Sequence, residues 1–596
     1  MAVGKHYEKQ IDDRTWKVWK ELKNGEIEGE RIVIDPFDIW IIGNTGMRNP
    51  WRIPSGFRVY ANSNMVGRLR DKEDQKTFKR ILSEKGEIGG DPGKDEDASI
   101  TRKYRLMFSL FGFTYPQLKG ADKVRQDELG PLDEITPAGM RFLEAEDVIA
   151  AQQECFLRGL IVPLEKLDDD TAFSPLLWTL SIMLKLHERT GDYKINYIEF
   201  ATWVQTTNPT YDIGFVVEEI LKVREDRKSA ENKKRFDREL ISKRWKNYKL
   251  EEQNFRDYAD MNMRYITISG IAKRTGRGIT LVEEYRAMAV ELCKQVTSSE
   301  PLFERYNTLC NGAPLPTDNI DTAQQVLRDL IAELDANHIH YDIPNIPLDN
   351  VKNVDIVRKI LKQDIDQFKE ERYAEQQCDE WEEIYEYMQL IVANNGREKD
   401  LGDDKVIKVP TSEAAAYLEW ILWRSFLAID HTVNKPYEAR GFNIDQDYMP
   451  VGTAPGGMPD MYFEFEDYVI VVEVTMSINS RQEAMEGEPV RRHVADYVEK
   501  YNKPVYGIFV ANKIDSNTAE TFRIGVWYNK NDEKMALKIV PYTLSDYSEY
   551  FKSLFQRGNP GPENIISLFE ECFSAKEGQE APEWKQTISD IVHSKI

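Results

Sequence analysis

The sequence predicts a multidomain α+β protein, on three observations. At roughly 150 residues per domain, its 596 residues amount to about four domains. Apolar residues recur at helical spacing over most of 103–300 and again over 320–396. From 406 to 596 the pattern changes to helix, strand, turn, strand, helix, strand, as in an α/β domain. The expected division is a mainly helical region over 1–300, a helical linker over 301–405 and an α/β domain over 406–596.

Composition narrows the classes. With 41% hydrophobic and 30% charged residues there are side chains enough for more than one core. No run approaches the roughly 18 apolar residues of a membrane span, so no membrane partner is expected. The opening MAVGKHYE lacks a signal-peptide stretch, and Cys155, Cys293, Cys310, Cys378 and Cys572 form no CxxC pair. A reduced, cytoplasmic chain is expected. Net charge is −23, which opposes a polyanionic partner, yet 222–249 holds 12 basic residues against 5 acids. That island reads either as a solvated helical face or as a surface for DNA.

Along the chain, 31–60 reads as short strands and turns, with the polar segment from Asn44 to Arg52 carrying Arg48 and Arg52. Residues 83–100 read as an exposed Gly/Asp/Lys loop. In 135–143 Thr136 caps a helix that has Pro137 at its first position. Short helices followed by compact turns are common in winged-helix modules, and 265–281 has the look of a wing hairpin. Lys273, Arg274 and Arg277 stand at its tip. Over 378–395, Trp381, Ile384, Tyr385, Met388, Ile391 and Val392 share a helical face, and Asn395-Gly396 stops it. The polar stretch 397–405 then marks a boundary.

The chemistry concentrates beyond it. Thr411 can cap a helix running to about Ile429, apolar on nearly all sides, with Glu419 in its middle. A buried carboxylate must be paired or bound to a metal. Arg424 is five residues on, a poor helical spacing for the purpose. Next, a strand opening at Pro459 and a buried run, 468–475, flank the acidic turn Glu466-Asp467. If that turn has two residues, Asp460 lies directly opposite Glu473, with Cβ atoms about 5 Å apart. Two such carboxylates repel, and a divalent cation converts the repulsion into a site. A longer loop would slip the register and separate them. Ser480 to Glu483 forms a capping box, and Gln482, Glu486 and His493 recur at four and seven residues unless Pro489 breaks the helix. Residues 503–511 return as a strand parallel to the first. Carboxylates holding a metal, beside a histidine able to act as base or proton relay, imply phosphodiester hydrolysis.

At these residues, PDM-x9-VVEVT followed by SRQEAMEGEPVRRH resembles the AlwI-like family of type IIS restriction endonucleases and their nicking relatives, a variant of the PD-(D/E)xK nuclease core. The resemblance is strongest over 411–545. It continues more weakly over 101–345, through TPAGMRFL and SPLLWTLSIMLKL, and over 38–58. It implies an N-terminal DNA-recognition region, a linker, and a C-terminal nuclease domain that uses Mg2+ and cuts double-stranded DNA outside an asymmetric site. Carried over, Asp460 and Glu473 match the metal-binding acids. Glu419 matches the helical acid and a third metal ligand, Glu486 the additional acid, and His493 the histidine. Thr475 departs from the pattern, since a lysine is usual there, and either Arg492 or His493 can supply its function.

One catalytic site per chain implies that cutting both strands takes a second copy, a separate small subunit or a second encounter. A strand-specific nicking enzyme is therefore a close alternative. A non-cleaving DNA-binding regulator with a degenerate nuclease fold is the alternative from another class. The recognition residues expected are Arg48, Arg52, Lys273, Arg274 and Arg277, since arginine can read guanine in the major groove.

Overall fold

The computed structural model describes residues 5–12, 15–21, 27–34, 39–85, 87–88, 98–168, 170–248, 250–402, 405–429, 431–455, 457–478, 482–558 and 560–596. The chain is mixed α+β and divides into two compact units, 1–338 with 342–360, and 339–341 with 361–596. Each has its own apolar core. Of the expected linker 301–405, residues up to 360 fall mainly in the first unit and the rest in the second. Most of the expected loop 83–100 and Ser480 of the expected capping box lie outside the described residues.

The first unit begins with an antiparallel sheet of β1 (Lys5–Asp12), β2 (Thr15–Glu21) and β3 (Ile27–Ile34). The strand-and-turn expectation for 31–60 fails at its end, where Arg52–Ala61 is a helix, α1. Ile53, Phe57 and Tyr60, spaced four and three apart, are fully buried on one face, and Pro54 sits in the first turn where proline is tolerated. Helix α2 (Pro137–Glu144) starts as expected, its Gly139 N–H donating to the Thr136 hydroxyl at 2.9 Å.

The basic island folds as two helices, α3 (Ile213–Ser229) and α4 (Lys233–Trp245), followed by α5 (Glu252–Thr267). The hairpin expected over 265–281 is shorter. Residues 265–267 end α5, and only β4 (Ala272–Thr275) and β5 (Gly278–Leu281) pair, around the turn Gly276-Arg277. The buried Tyr265 explains the shift, because its ring belongs to the helical core, and Ile195 bridges Ile279 as a third, single-residue partner.

Helix α6 (Val351–Glu375) contains the point where the chain passes from one unit to the other. In the second unit, α7 (Trp381–Ala393) buries Ile384, Tyr387, Met388 and Ile391 and ends at Asn394 in the left-handed region. Helix α8 (Ala414–Ile429) runs to the expected residue, with Thr411 inside a preceding 3₁₀ turn rather than capping the helix directly. Every side chain from Tyr417 to Ile429 is buried, as a helix apolar on all sides requires.

The sheet of this unit has the order β6 (Met461–Glu464), β7 (Val469–Thr475), β8 (Val505–Ala511) and β9 (Ile539–Thr543). The first pair is antiparallel and the others parallel. Helix α9 (Glu488–Lys500) makes the crossover between β7 and β8. Pro489 does not interrupt it, since it sits in the first turn, after a π-helical turn over Glu483–Gly487. Ring stacking of Phe426 on Phe463, centroids 4.4 Å apart, puts α8 on one face of the sheet. The alternation of side chains then directs Tyr462 and Glu473 to the face covered by α9.

Candidate active site

The β6–β7 hairpin carries the site. Met461 pairs with Val472 and Glu464 with Val469, and the Phe465 N–H donates to the Tyr468 carbonyl, so the turn is Glu466-Asp467. This register places Asp460, one residue before β6, across from Glu473, and the Val474 N–H closes the pairing by donating to Asp460 Oδ2 at 2.7 Å. Gly441 is what allows the segment beside Asp460 to pass so closely. Its N–H donates to the Asp460 carbonyl at 2.8 Å, and a Cβ there would stand 2.5 Å from the Pro459 oxygen.

Around this pair the fold gathers the other expected residues. From α8, Glu419 is buried, and its Oε2 accepts the Ala454 N–H at 2.7 Å. His493, from α9, is buried with Nδ1 2.6 Å from Glu473 Oε1, while its Nε2 is buried without a partner. Glu486, on the π-helical turn, is hydrogen-bonded by the Thr475 side chain. Arg492 points elsewhere, to Glu488 Oε1 at 3.2 Å, but its charge still lowers the pKa values of Glu473 and His493.

Sequence reasoning noted Gln482 only for its spacing, and the fold gives it a specific place. It is fully buried, donating from Nε2 to the carbonyls of Ser477 (2.7 Å) and Lys513 (2.9 Å) and accepting the Asp515 N–H at 2.8 Å. It ties together the chain leaving β7, the chain leaving β8 and the turn that carries Glu486.

The electrostatics are those of acids held together against their preference. Burial first, then the Glu486 charge, pushes Glu473 up to about 8. Burial and the Glu473 charge hold Asp460 well above the usual carboxylate range. Burial and Asp460 do the same to Glu419, and burial raises Glu486. Burial, helped by Arg492, lowers His493 and favours its neutral ring. Among the described residues no three His, Cys, Asp or Glu side chains are arranged so as to hold a metal ion. The donor set nonetheless fits a hard divalent cation, since clustered carboxylate oxygens are what such ions take and a positive charge would relieve their repulsion.

A test of this follows from linkage. In the unfolded chain Glu473 returns to its ordinary 4.5, so its raised value stabilises the fold fully below that pH. The contribution is lost as pH rises through about 8. The metal-free protein should therefore melt at falling temperature between about pH 5 and 8, and Glu473→Gln should flatten that slope. Because a cation must displace the protons, the melting-temperature gain from millimolar Mg2+ should grow over the same interval. A gain independent of pH would reject these acids as the binding site.

The residues expected to recognise DNA are not gathered in this way. Arg48 pairs with Asp257 at 2.5 Å, and Arg52 donates to the Glu87 carbonyl at 2.8 Å. Arg274 contacts Asp260 at 3.4 Å and Arg277 lies over the Tyr197 ring, 5.5 Å from its centroid. Lys273 is half-buried on β4.

No curated protein matches the chain, and no helix among the described residues is long and apolar enough to cross a membrane. Among solved structures, the chain is similar to the small subunit of the heterodimeric restriction endonuclease R.BspD6I, at 22% identity and a TM-score of 0.28, over 35% of this chain and 98% of that one. Residues 111–550, which span the β6–β7 hairpin and every acid of the site, match the family described as AlwI restriction endonuclease, and the chain belongs to that family.

Proposed function

We propose that the chain is a Mg2+-dependent type IIS endonuclease that hydrolyses DNA phosphodiesters outside an asymmetric recognition sequence. The observation that carries the reading is the β6–β7 register, which brings Asp460 and Glu473 together beside Glu419, Glu486 and His493. The antiparallel hairpin followed by a parallel strand, with acids at the strand ends, supports a PD-(D/E)xK-type core. Helix α5 followed by the β4–β5 hairpin, with Ile195 bridging Ile279, supports a winged-helix-like module within a recognition region over 1–300. In this reading 301–405 connects that region to a catalytic domain over 406–596.

Asp460, Glu473 and Glu419 would hold the cation. When bound, Mg2+ supplies charge stabilisation at the phosphate and a lowered pKa for the attacking water. Glu473 holds the imidazole of His493 through Nδ1, and the unbonded Nε2 would be the atom to take a proton from the attacking water. The lowered pKa favours the neutral ring, and with Glu473 deprotonated by cation binding its carboxylate would accept from Nδ1–H, making Nε2 the basic nitrogen. Thr475 leaves no amine at the lysine position, and the neighbouring Arg492 is the cation whose field reaches Glu473. Glu486 adds negative charge beside the pair and is steadied by Thr475.

One such cluster per chain cuts one strand per engagement, so double-strand cleavage calls for a second copy, a separate subunit or a second encounter. Incubating supercoiled plasmid with Mg2+ and sequencing both strands of the product by run-off should show a unique site with a break at a fixed offset. Breaks on one strand only would assign strand-specific nicking. Plasmid bound but left supercoiled would replace the enzyme reading with that of a DNA-binding regulator.

A further inference from the structure

The basic island has two readings in the sequence, and the fold separates its cations into two groups. Arg224 is committed to Glu199 at 2.9 Å, Arg227 to Asp237 at 2.8 Å and Arg235 to Glu239 at 2.8 Å. Arg244 donates to the Thr202 carbonyl at 2.9 Å and lies over the Trp203 ring. The second group, Lys222, Lys228, Lys233, Arg238, Lys243 and Lys246, is exposed and has no carboxylate partner among the described residues. The arrangement on α4 is one-sided. Asp237 and Ile241 are buried, and at 100° per residue Lys243 and Lys246 fall opposite them, with Arg238 on the flank. Buried-side Asp237 is paired with Arg227, and exposed Glu239, which lies on the outer face, is paired with Arg235, so Arg238, Lys243 and Lys246 leave that face with a net surplus of cations. The contacts of Arg244, together with the buried Ile241, fix which way that face points.

We propose that the outer face of α4 binds the phosphate backbone of double-stranded DNA, independently of base sequence. The inference rests on the chain being a DNA endonuclease, and it names a contact surface apart from the five residues expected to read bases. Charge complementarity favours this occupant. The net charge of −23 repels DNA at long range, but salt screens that repulsion beyond about 8 Å at physiological ionic strength, so within contact distance the local face decides. Helix α4 is about 20 Å long, enough to lie along a duplex that carries a charge every 1.7 Å or so of its axis. Contacts of this kind position a protein on DNA without reading its sequence.

The test measures affinity of the full chain for a fluorescent duplex of arbitrary sequence, in EDTA so that nothing is cut, as a function of KCl. Neutralising the face with Arg238→Gln, Lys243→Gln and Lys246→Gln together should lower the slope of log K against log salt by about 3, at roughly 0.9 per phosphate lost. Binding near 0.1 M salt should weaken by about 10-fold or more. The single variant Lys243→Glu, on an exposed site where folding is not at stake, should lower the slope by about 1 or more. Wild-type slope and affinity in both variants would overturn the proposal and return the island to a solvated face. So would loss of self-association with DNA binding intact, because the face would then meet the acidic surface of a second copy. Cleavage does not enter the assay, so a plasmid left uncut by the wild type with Mg2+ would count against the nuclease reading alone.

Discussion

Asp460→Asn should lower plasmid cleavage by at least about 10³-fold, roughly 4 kcal/mol of transition-state stabilisation, while leaving DNA affinity in EDTA unchanged. Asparagine keeps an oxygen that can accept the Val474 N–H, so the hairpin register should survive. What goes is one of the charges that the cation would bind. The same change removes the charge that, after burial, holds Glu419 above its ordinary value. The metal-free variant should therefore melt no lower than wild type, and above it at alkaline pH, where the wild-type acids are forced to ionise together. Its melting-temperature gain from Mg2+ should nearly vanish. Asp460→Ala should lose cleavage equally but also leave the Val474 N–H unpaired. Cleavage by the Asn variant within 10-fold of wild type would move the catalytic centre elsewhere.

The largest expected effect on stability is at Arg424, whose side chain is 1% exposed. Its guanidinium donates to Gln377 Oε1 at 2.6 Å, Glu380 Oε2 at 2.6 Å and Glu383 Oε1 at 2.8 Å, and it lies over the Trp420 ring. These bonds fasten α8, the helix that carries Glu419, to the start of α7. Arg424→Ala would leave the Gln377 oxygen without its donor and Glu383 with Lys405 alone, at a cost of about 3–5 kcal/mol. For a unit of this size that corresponds to a fall of about 10 °C in the melting of the C-terminal unit. Arg424→Lys keeps the charge but not the three-way fork, and should fall between the two. A melting temperature within about 2 °C of wild type for the Ala variant would mean that the cluster adds nothing net.

Much of the candidate site is legible in the sequence. A two-residue acidic turn between an opening strand and a continuous apolar run leaves one register that buries the run, and that register alone brings Asp460 to Glu473. The helix to Ile429 was equally plain, because a segment apolar on every side has nowhere to go but inside. Arg424 was harder to read. Its spacing from Glu419 excluded a partnership within the helix, but its actual partners lie 41 to 47 residues earlier in the chain. The same holds for Arg48, whose acid is 209 residues away, and for the island, where the count of charges was visible but not which of them the fold neutralises.

What the chain determined by itself was local: helix period, strand alternation, turn length and the hairpin register they impose, all of which depend on residues within a few positions of one another. The tertiary structure alone decided which acids share a pocket with Glu473, which nitrogen of His493 is left unbonded and which cations face solvent. The physical reason is that burial and ion pairing depend on distance in space, and side chains far apart in sequence become neighbours only when the cores close around them.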